Sequence, residues 1–181
     1  VSTSPVWTSQ PLGISLPMRM YPTKITWIGN THYTDSELTQ ALGIKKENHY
    51  DEKDIYNLID DFAPTSISNL YMDKGYLFYN THLKSKIIGN QLDVEITIFE
   101  GKKAVINDLI IKGNNKISKG EIVDQIGIQK GELFNRTKLI NAQRTLSKSG
   151  YFNPEKIGIN PLPKQTSKGW IVDLEFVVEE K

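Results

Sequence analysis

The sequence has no cysteine among its 181 residues, so it offers neither a disulfide framework nor a thiolate metal site. A cysteine-free chain suits either redox compartment. No apolar run approaches the roughly 20 residues that cross a bilayer as a helix. Residues 1–21 lack a basic stretch followed by an apolar one, the pattern of a signal peptide. Histidine is scarce: His32, His49 and His82 have no spacing that aims two of them at one metal. No G-x-S-x-G elbow, phosphate-binding loop or dinucleotide fingerprint occurs. The paired acids Asp60-Asp61 fall in a proline-containing insertion and read as solvated loop rather than as a general acid and base. Asn135-Arg136-Thr137 fits the N-glycosylation pattern, but Asn135 is better placed as a helix cap. With no candidate catalytic, cofactor or metal residues, the expectation is a binding protein that is not an enzyme and needs no cofactor.

The sequence does contain an internal repeat. Gly29-Asn30 recurs as Gly113-Asn114, an offset of 84, and the same offset pairs Thr34 with Ser118, Glu37 with Glu121, Gly43-Ile44 with Gly127-Ile128, and Tyr50 with Phe134. Gly75-Tyr76 recurs as Gly150-Tyr151 at an offset of 75, and the run Leu92 to Glu100 recurs as Val172 to Glu180 at an offset of 80. These landmarks keep one order, and both length changes fall in loops. The repeats are expected at 22–101 and 102–181, with 1–21, rich in Ser, Thr and Pro, as a linker or the tail of a preceding domain. The chain reads as an excised piece of something longer.

Each copy predicts the same elements. Ile25 and Trp27, like Leu109 and Ile111, alternate with their neighbours as in a strand, which Gly-Asn then ends. Capping boxes at Thr34/Glu37 and Ser118/Glu121 open short helices that stop at Gly43 and Gly127. Asn135 caps a helix with Leu139, Ala142 and Leu146 on one face; Asp51 caps its counterpart, which the insertion around Asp60 to Ile67 interrupts. Leu92, Val94, Ile96 and Ile98 oppose Asp93, Glu95, Thr97 and Phe99, and Val172, Leu174, Phe176 and Val178 repeat the pattern of a half-buried strand. The expected fold class is α+β: two tandem β-α-α-β-β modules, each with two helices packed on a three-stranded mixed sheet. Charge divides unevenly, with 7 Lys against 12 Asp or Glu in 22–101 (net −5), and 14 Lys or Arg against 9 Asp or Glu in 102–181 (net +5). The basic half is a candidate contact for an anionic membrane surface.

Several of these motifs together resemble a known family. The strand-then-Gly-Asn starts, the run Gly131-Glu132-Leu133-Phe134-Asn135, the run Gly150-Tyr151-Phe152 and the closing Val177-Val178-Glu179-Glu180-Lys181 are similar to those of polypeptide-transport-associated (POTRA) domains, over about 160 of the 181 residues. The resemblance implies a periplasmic location before a transmembrane β-barrel. It implies unfolded outer-membrane proteins and accessory subunits of an assembly machinery as partners, and no nucleic acid. It also implies that the second strand of the first copy lies outermost. That strand is expected over Leu77, Phe78, Tyr79, Asn80, Thr81, His82, Leu83, Lys84, Ser85, Lys86 and Ile87, an edge for client strands with Leu77, Tyr79, Leu83 and Ile87 turned to the core. Its counterpart, Tyr151 to Ile159, is broken by Pro154 and Gly158 and followed by Pro161 and Pro163. Two-partner secretion transporters and organelle import channels carry similar arms and stay open as alternatives. A tandem KH-type RNA-binding protein is the reading from another class, although its GXXG loop fits Gly127 to Gly131 with one residue too many.

Overall fold

The computed structural model describes residues 21–181. Of the expected linker, 1–20 lie outside the described residues and Tyr21 opens the first strand. The chain divides into two compact units, with described residues 21–61 and 80–99 in the first and 62–79 and 100–181 in the second.

The first unit holds β1 (Tyr21–Ile28), α1 (Asp35–Leu42), α2 (Glu52–Ile59), β2 (Asn80–Ile88) and β3 (Gln91–Phe99). Its sheet runs in the order β1-β3-β2, with β1 parallel and β2 antiparallel to the central β3. The alternation that predicted β3 is realised: Leu92, Val94, Ile96 and Ile98 are buried, while Phe99 on the opposite face is 65% exposed. Burying each such aliphatic side chain contributes about 1.5–3 kcal/mol. Both helices start as the sequence requires. Thr34 and Glu37 form the full capping box, and Asp51 forms a second one with Asp54. From the β1 side, Trp27 donates its indole N–H to the Thr39 hydroxyl of α1 at 2.8 Å.

The insertion expected at Asp60 to Ile67 does divide the helix of the first copy, and its second piece is α3 (Ile67–Met72), which falls in the second unit. That unit repeats the plan with β4 (Ala104–Lys112), α4 (Lys119–Ile126), α5 (Arg136–Lys148), β5 (Gly158–Thr166) and β6 (Gly169–Val177), in the sheet order β4-β6-β5. Ile106, Leu109, Ile122, Phe134, Leu146 and Phe176 belong to one buried cluster. Of the box expected at Ser118 and Glu121, the Ser118 half is made, its hydroxyl accepting from the Glu121 N–H at 3.2 Å.

Asn69, in α3, holds the insertion by donating its amide to the carbonyls of Phe62 and Ala63 at 3.0 and 2.8 Å. At the end of α3, Asp73 turns its carboxylate to the start of α5. It accepts from the Thr137 N–H at 2.8 Å and from the Thr137 hydroxyl at 2.5 Å, while the Asn135 amide donates to the Asp73 carbonyl. A carboxylate at a helix N-terminus satisfies an otherwise orphaned donor and complements the helix dipole. Aromatic packing completes the segment: Tyr71 stacks on Tyr79 at 4.9 Å and donates to Glu100 at 2.7 Å, and Phe78 meets Trp170 at 4.6 Å.

The repeated Gly-Asn pair has a steric cause. A Cβ on Gly29 would lie 2.2 Å from the Ile98 carbonyl oxygen, and one on Gly113 only 1.9 Å from that of Val178, both at positive φ. Each asparagine then closes its loop, Asn30 on the Tyr33 carbonyl at 2.9 Å and Asn114 on that of Ile117 at 2.8 Å. Gly127 also has positive φ, but an added Cβ there would meet nothing within 4 Å. Gly127→Ala is therefore expected to cost about 1 kcal/mol from backbone strain alone, and Gly113→Ala about 3 kcal/mol or more because the chain must also move. Urea denaturation of both variants checks this; equal losses would refute the close-approach argument.

Candidate functional site: an open strand edge

Each three-stranded sheet has two edges, and an edge left bare is a row of unmet backbone donors and acceptors. In the second unit both are treated. The start of β4 is paired with the loop 131–134: Gly131 donates to the Ile106 carbonyl at 2.8 Å, Ile106 to that of Glu132 at 2.7 Å and Phe134 to that of Ala104 at 2.9 Å. This is the structural content of the Gly-Glu-Leu-Phe-Asn run. Its phenylalanine is buried, its asparagine caps α5, and its glutamate is ion-paired with Lys138. The opposite edge, β5, contains Pro161 and Pro163 and stays in register with β6 across both. Proline cannot donate to an added strand, so this edge is blunted.

In the first unit, β1 is irregular, with a register shift between Pro22 and Lys24. β2 is the regular edge: it pairs with β3 residue for residue from Asn80↔Phe99 to Ile88↔Gln91. Its nine residues contain neither proline nor glycine. A tight turn at Gly89-Asn90, with Gly89 at φ 63°, returns the chain into β3. Between β2 and α2 lies an open groove of ≈ 580 Å³, lined by Glu52, Lys53, Tyr56, Thr81, His82 and Leu83. The Ser85 hydroxyl donates to the Glu52 carboxylate, tying the strand to the first residue of the helix.

The expected edge residues are divided by the structure. Asn80, Thr81, His82, Leu83, Lys84, Ser85, Lys86 and Ile87 are in β2, which continues to Ile88. Leu77, Phe78 and Tyr79 precede it and belong to the second unit, where Tyr79 and Phe78 take part in aromatic packing. Leu83 is half-buried as expected, but Ile87 is 51% exposed because the strand end runs past the helix. The counterpart strand is also displaced from Tyr151–Ile159: the strand in that position is Gly158–Thr166, and Pro154 sits in a short 3₁₀ turn. His32, His49 and His82 are all exposed or half-exposed, and among the described residues no group of three or more His, Asp or Glu could hold a metal.

The perturbed carboxylates have structural causes. Lys112 and then Asn160 hold Glu175 below the usual carboxylate range, and Lys130, 3.1 Å away, does so for Asp108. Glu180, in the closing motif, is lowered first by the Asn115 N–H and then by those of Lys116 and Ile117, at 3.0 and 3.2 Å. It fills a nest of backbone donors in the loop after β4. The loop Gly127 to Gly131, one residue too long for a KH clamp, is likewise committed internally, since the Gly131 N–H is bonded to the Ile106 carbonyl.

The two units are therefore α+β modules, each a three-stranded mixed sheet with helices packed on it. The family model described as "Surface antigen variable number repeat", POTRA, matches residues 21–101 and again 104–181, and the chain belongs to this family. The outer membrane protein assembly factor BamA of Nitratidesulfovibrio vulgaris is 26% identical over 163 residues, covering 87% of this chain and 20% of that protein. BamA of Buchnera aphidicola is 30% identical over 122 residues, 64% of this chain and 19% of its own length. The chain thus spans about a fifth of the curated relatives it matches. Among solved structures, Haemophilus influenzae BamA POTRA3-5 superposes with a TM-score of 0.73 at 18% identity, covering 93% of this chain and 63% of that one.

Glu180 yields a pH-dependent expectation. Its folded pKa lies below the unfolded value, so its stabilisation is full above the unfolded value and is lost as pH falls through the lowered one. Glu180→Gln should shift the urea midpoint downward at pH 7, and the gap should begin to narrow as pH falls below the ordinary carboxylate value of about 4.3. A gap unchanged between about pH 7 and pH 3 would rule out the carboxylate as its source.

Proposed function

We propose that this chain is part of the periplasmic arm of an outer-membrane protein assembly factor, with POTRA domains at 22–101 and 102–181. In this reading the open edge of β2 receives extended segments of unfolded outer-membrane proteins. The arm then passes them toward a membrane β-barrel together with accessory subunits, without catalysis and without cofactor. The observation that carries the reading is the contrast between equivalent strands. β2 is a regular nine-residue edge beside a groove, whereas β5 has prolines at two of its central positions. An edge of this kind binds through main-chain hydrogen bonds, which tolerate many client sequences, while a neighbouring groove selects for side-chain pattern. Family membership and the names of the relatives support the setting.

The absence of cysteine makes the test simple, since a single introduced thiol is unique. A photoreactive maleimide on Lys84→Cys is expected to cross-link a urea-unfolded outer-membrane protein on dilution. The same label on Leu162→Cys, on the proline-blunted β5, is expected to give at least about fivefold less product. Equal yields from the two positions, or none from Lys84→Cys, would refute capture at β2.

A further inference from the structure

The prolines of β5 also reveal which backbone groups of β2 point outward. Alternate residues of a strand direct their N–H and C=O to opposite sides. β5 stays paired with β6 from Gly158 to Thr166, so Pro161 and Pro163, which have no N–H, must be among the residues directed away from β6. Registers carry this to the first unit. Pro161 opposes Leu174 as Ser85 opposes Val94, and Pro163 opposes Val172 as Ile87 opposes Leu92; the two central strands correspond at the repeat offset of 80. The outward groups of β2 therefore include those of Leu83, Ser85 and Ile87, whose side chains lie on the helix-covered face. His82, Lys84 and Lys86 bond inward to β3 and show their side chains on the open face.

The open face adds a charge pattern. Across the sheet, Lys24 adjoins Asp93, which adjoins Lys86, and in the next row Thr26 adjoins Glu95, which adjoins Lys84. A fourth strand beyond β2 would extend both rows, and beside Lys84 and Lys86 each row calls for a carboxylate. On the other face, the same strand would lie along Tyr56, Leu83 and Ile87, all at least partly exposed, which favours apolar side chains. An antiparallel partner places its acids opposite the lysines in non-hydrogen-bonded pairs, where side chains approach most closely.

We infer that β2 selects an antiparallel, extended client segment in which apolar residues alternate with acidic ones, bonded through the outward groups of Leu83, Ser85 and Ile87 and matched in charge by Lys84 and Lys86. This rests on the capture of client strands at β2 proposed above. The chain itself contains such a segment: β3, Leu92-Asp93-Val94-Glu95-Ile96, pairs antiparallel with the inner side of β2. A labelled peptide with the sequence of residues 92–99 is thus a suitable probe, and a copy with lysine in place of both acids is its control.

Fluorescence anisotropy with the full chain is expected to show the acidic peptide binding roughly three- to tenfold tighter than the lysine copy. Lys84→Glu/Lys86→Glu, a surface change, is expected to reverse that order. Ser85→Pro should weaken both peptides by about tenfold or more with the circular dichroism spectrum unchanged, because it removes an outward donor. Failure of the charge reversal to change the order would overturn the inference, as would a wild-type chain that does not discriminate. If neither peptide binds while the label at position 84 still captures unfolded client, the alternation rule falls and capture stands. If that label captures nothing either, both fall.

Discussion

Backbone hydrogen bonding at sheet edges is the constraint on which the rest of this structure depends. A three-stranded sheet has as many edge strands as any larger sheet but only one interior strand, so unmet edge groups are a large share of its backbone. The second unit answers with two different devices, a loop laid along β4 and prolines set into β5. The Gly131–Asn135 motif is conspicuous in sequence because it does several jobs at once. It supplies edge bonds, a core phenylalanine and the cap of the longest helix. β2 lacks both devices. Its lysines, Lys84 and Lys86, stand along the edge without removing a single backbone donor.

The repeated glycines impose a second constraint that cooperates with the first. At Gly29 and Gly113 the first strand of each module ends against a carbonyl at the end of its central strand, that of Ile98 or of Val178 just after β6, too close for any Cβ. That contact sets where the chain leaves the sheet and hence where the first helix begins, one short loop later, at Thr34 and Ser118. The asparagine after each glycine closes the loop on a carbonyl three residues ahead. A two-residue sequence signature thus encodes a turn, a close packing contact and the placement of a helix cap.

These features were legible because each is local or strictly periodic: the Gly-Asn turns, the caps at Thr34, Asp51, Ser118 and Asn135, and the period-two alternation of β3 and β6. Less legible were places where periodicity continues across a change of partner. Leu77 and Tyr79 extend the alternation of β2, yet Leu77 packs against the buried cluster of the second unit and Tyr79 stacks on Tyr71. Alternation reports that every second residue is buried, not against what. β5 was displaced for the opposite reason. Two prolines argue against a strand interior, and only the pairing register shows that both lack a donor the sheet does not use. The carboxylate cap from Asp73 to Thr137 joins residues far apart in sequence and had no local signal.

Under the capture proposed for β2, the energetics of such an edge would suit transient binding. A main-chain hydrogen bond contributes a net of about 1 kcal/mol, and a matched cross-strand pair about 0.2–1 kcal/mol. A segment long enough to cover Leu83 to Ile87 gains only a handful of each, against an association cost of at least about 4 kcal/mol. Binding is then weak for any one segment and rapidly reversible, while a long chain with many alternating stretches can re-engage at high effective concentration. Selectivity in this arrangement comes from the phase of the client's alternation rather than from its sequence. A one-residue slip moves every apolar side chain from the helix-covered face to the lysine-bearing face, so the wrong register loses all its pairs together. A short edge can therefore discriminate pattern sharply while holding no client tightly, because its specificity grows with the number of aligned pairs and its affinity is limited by ordering a flexible chain.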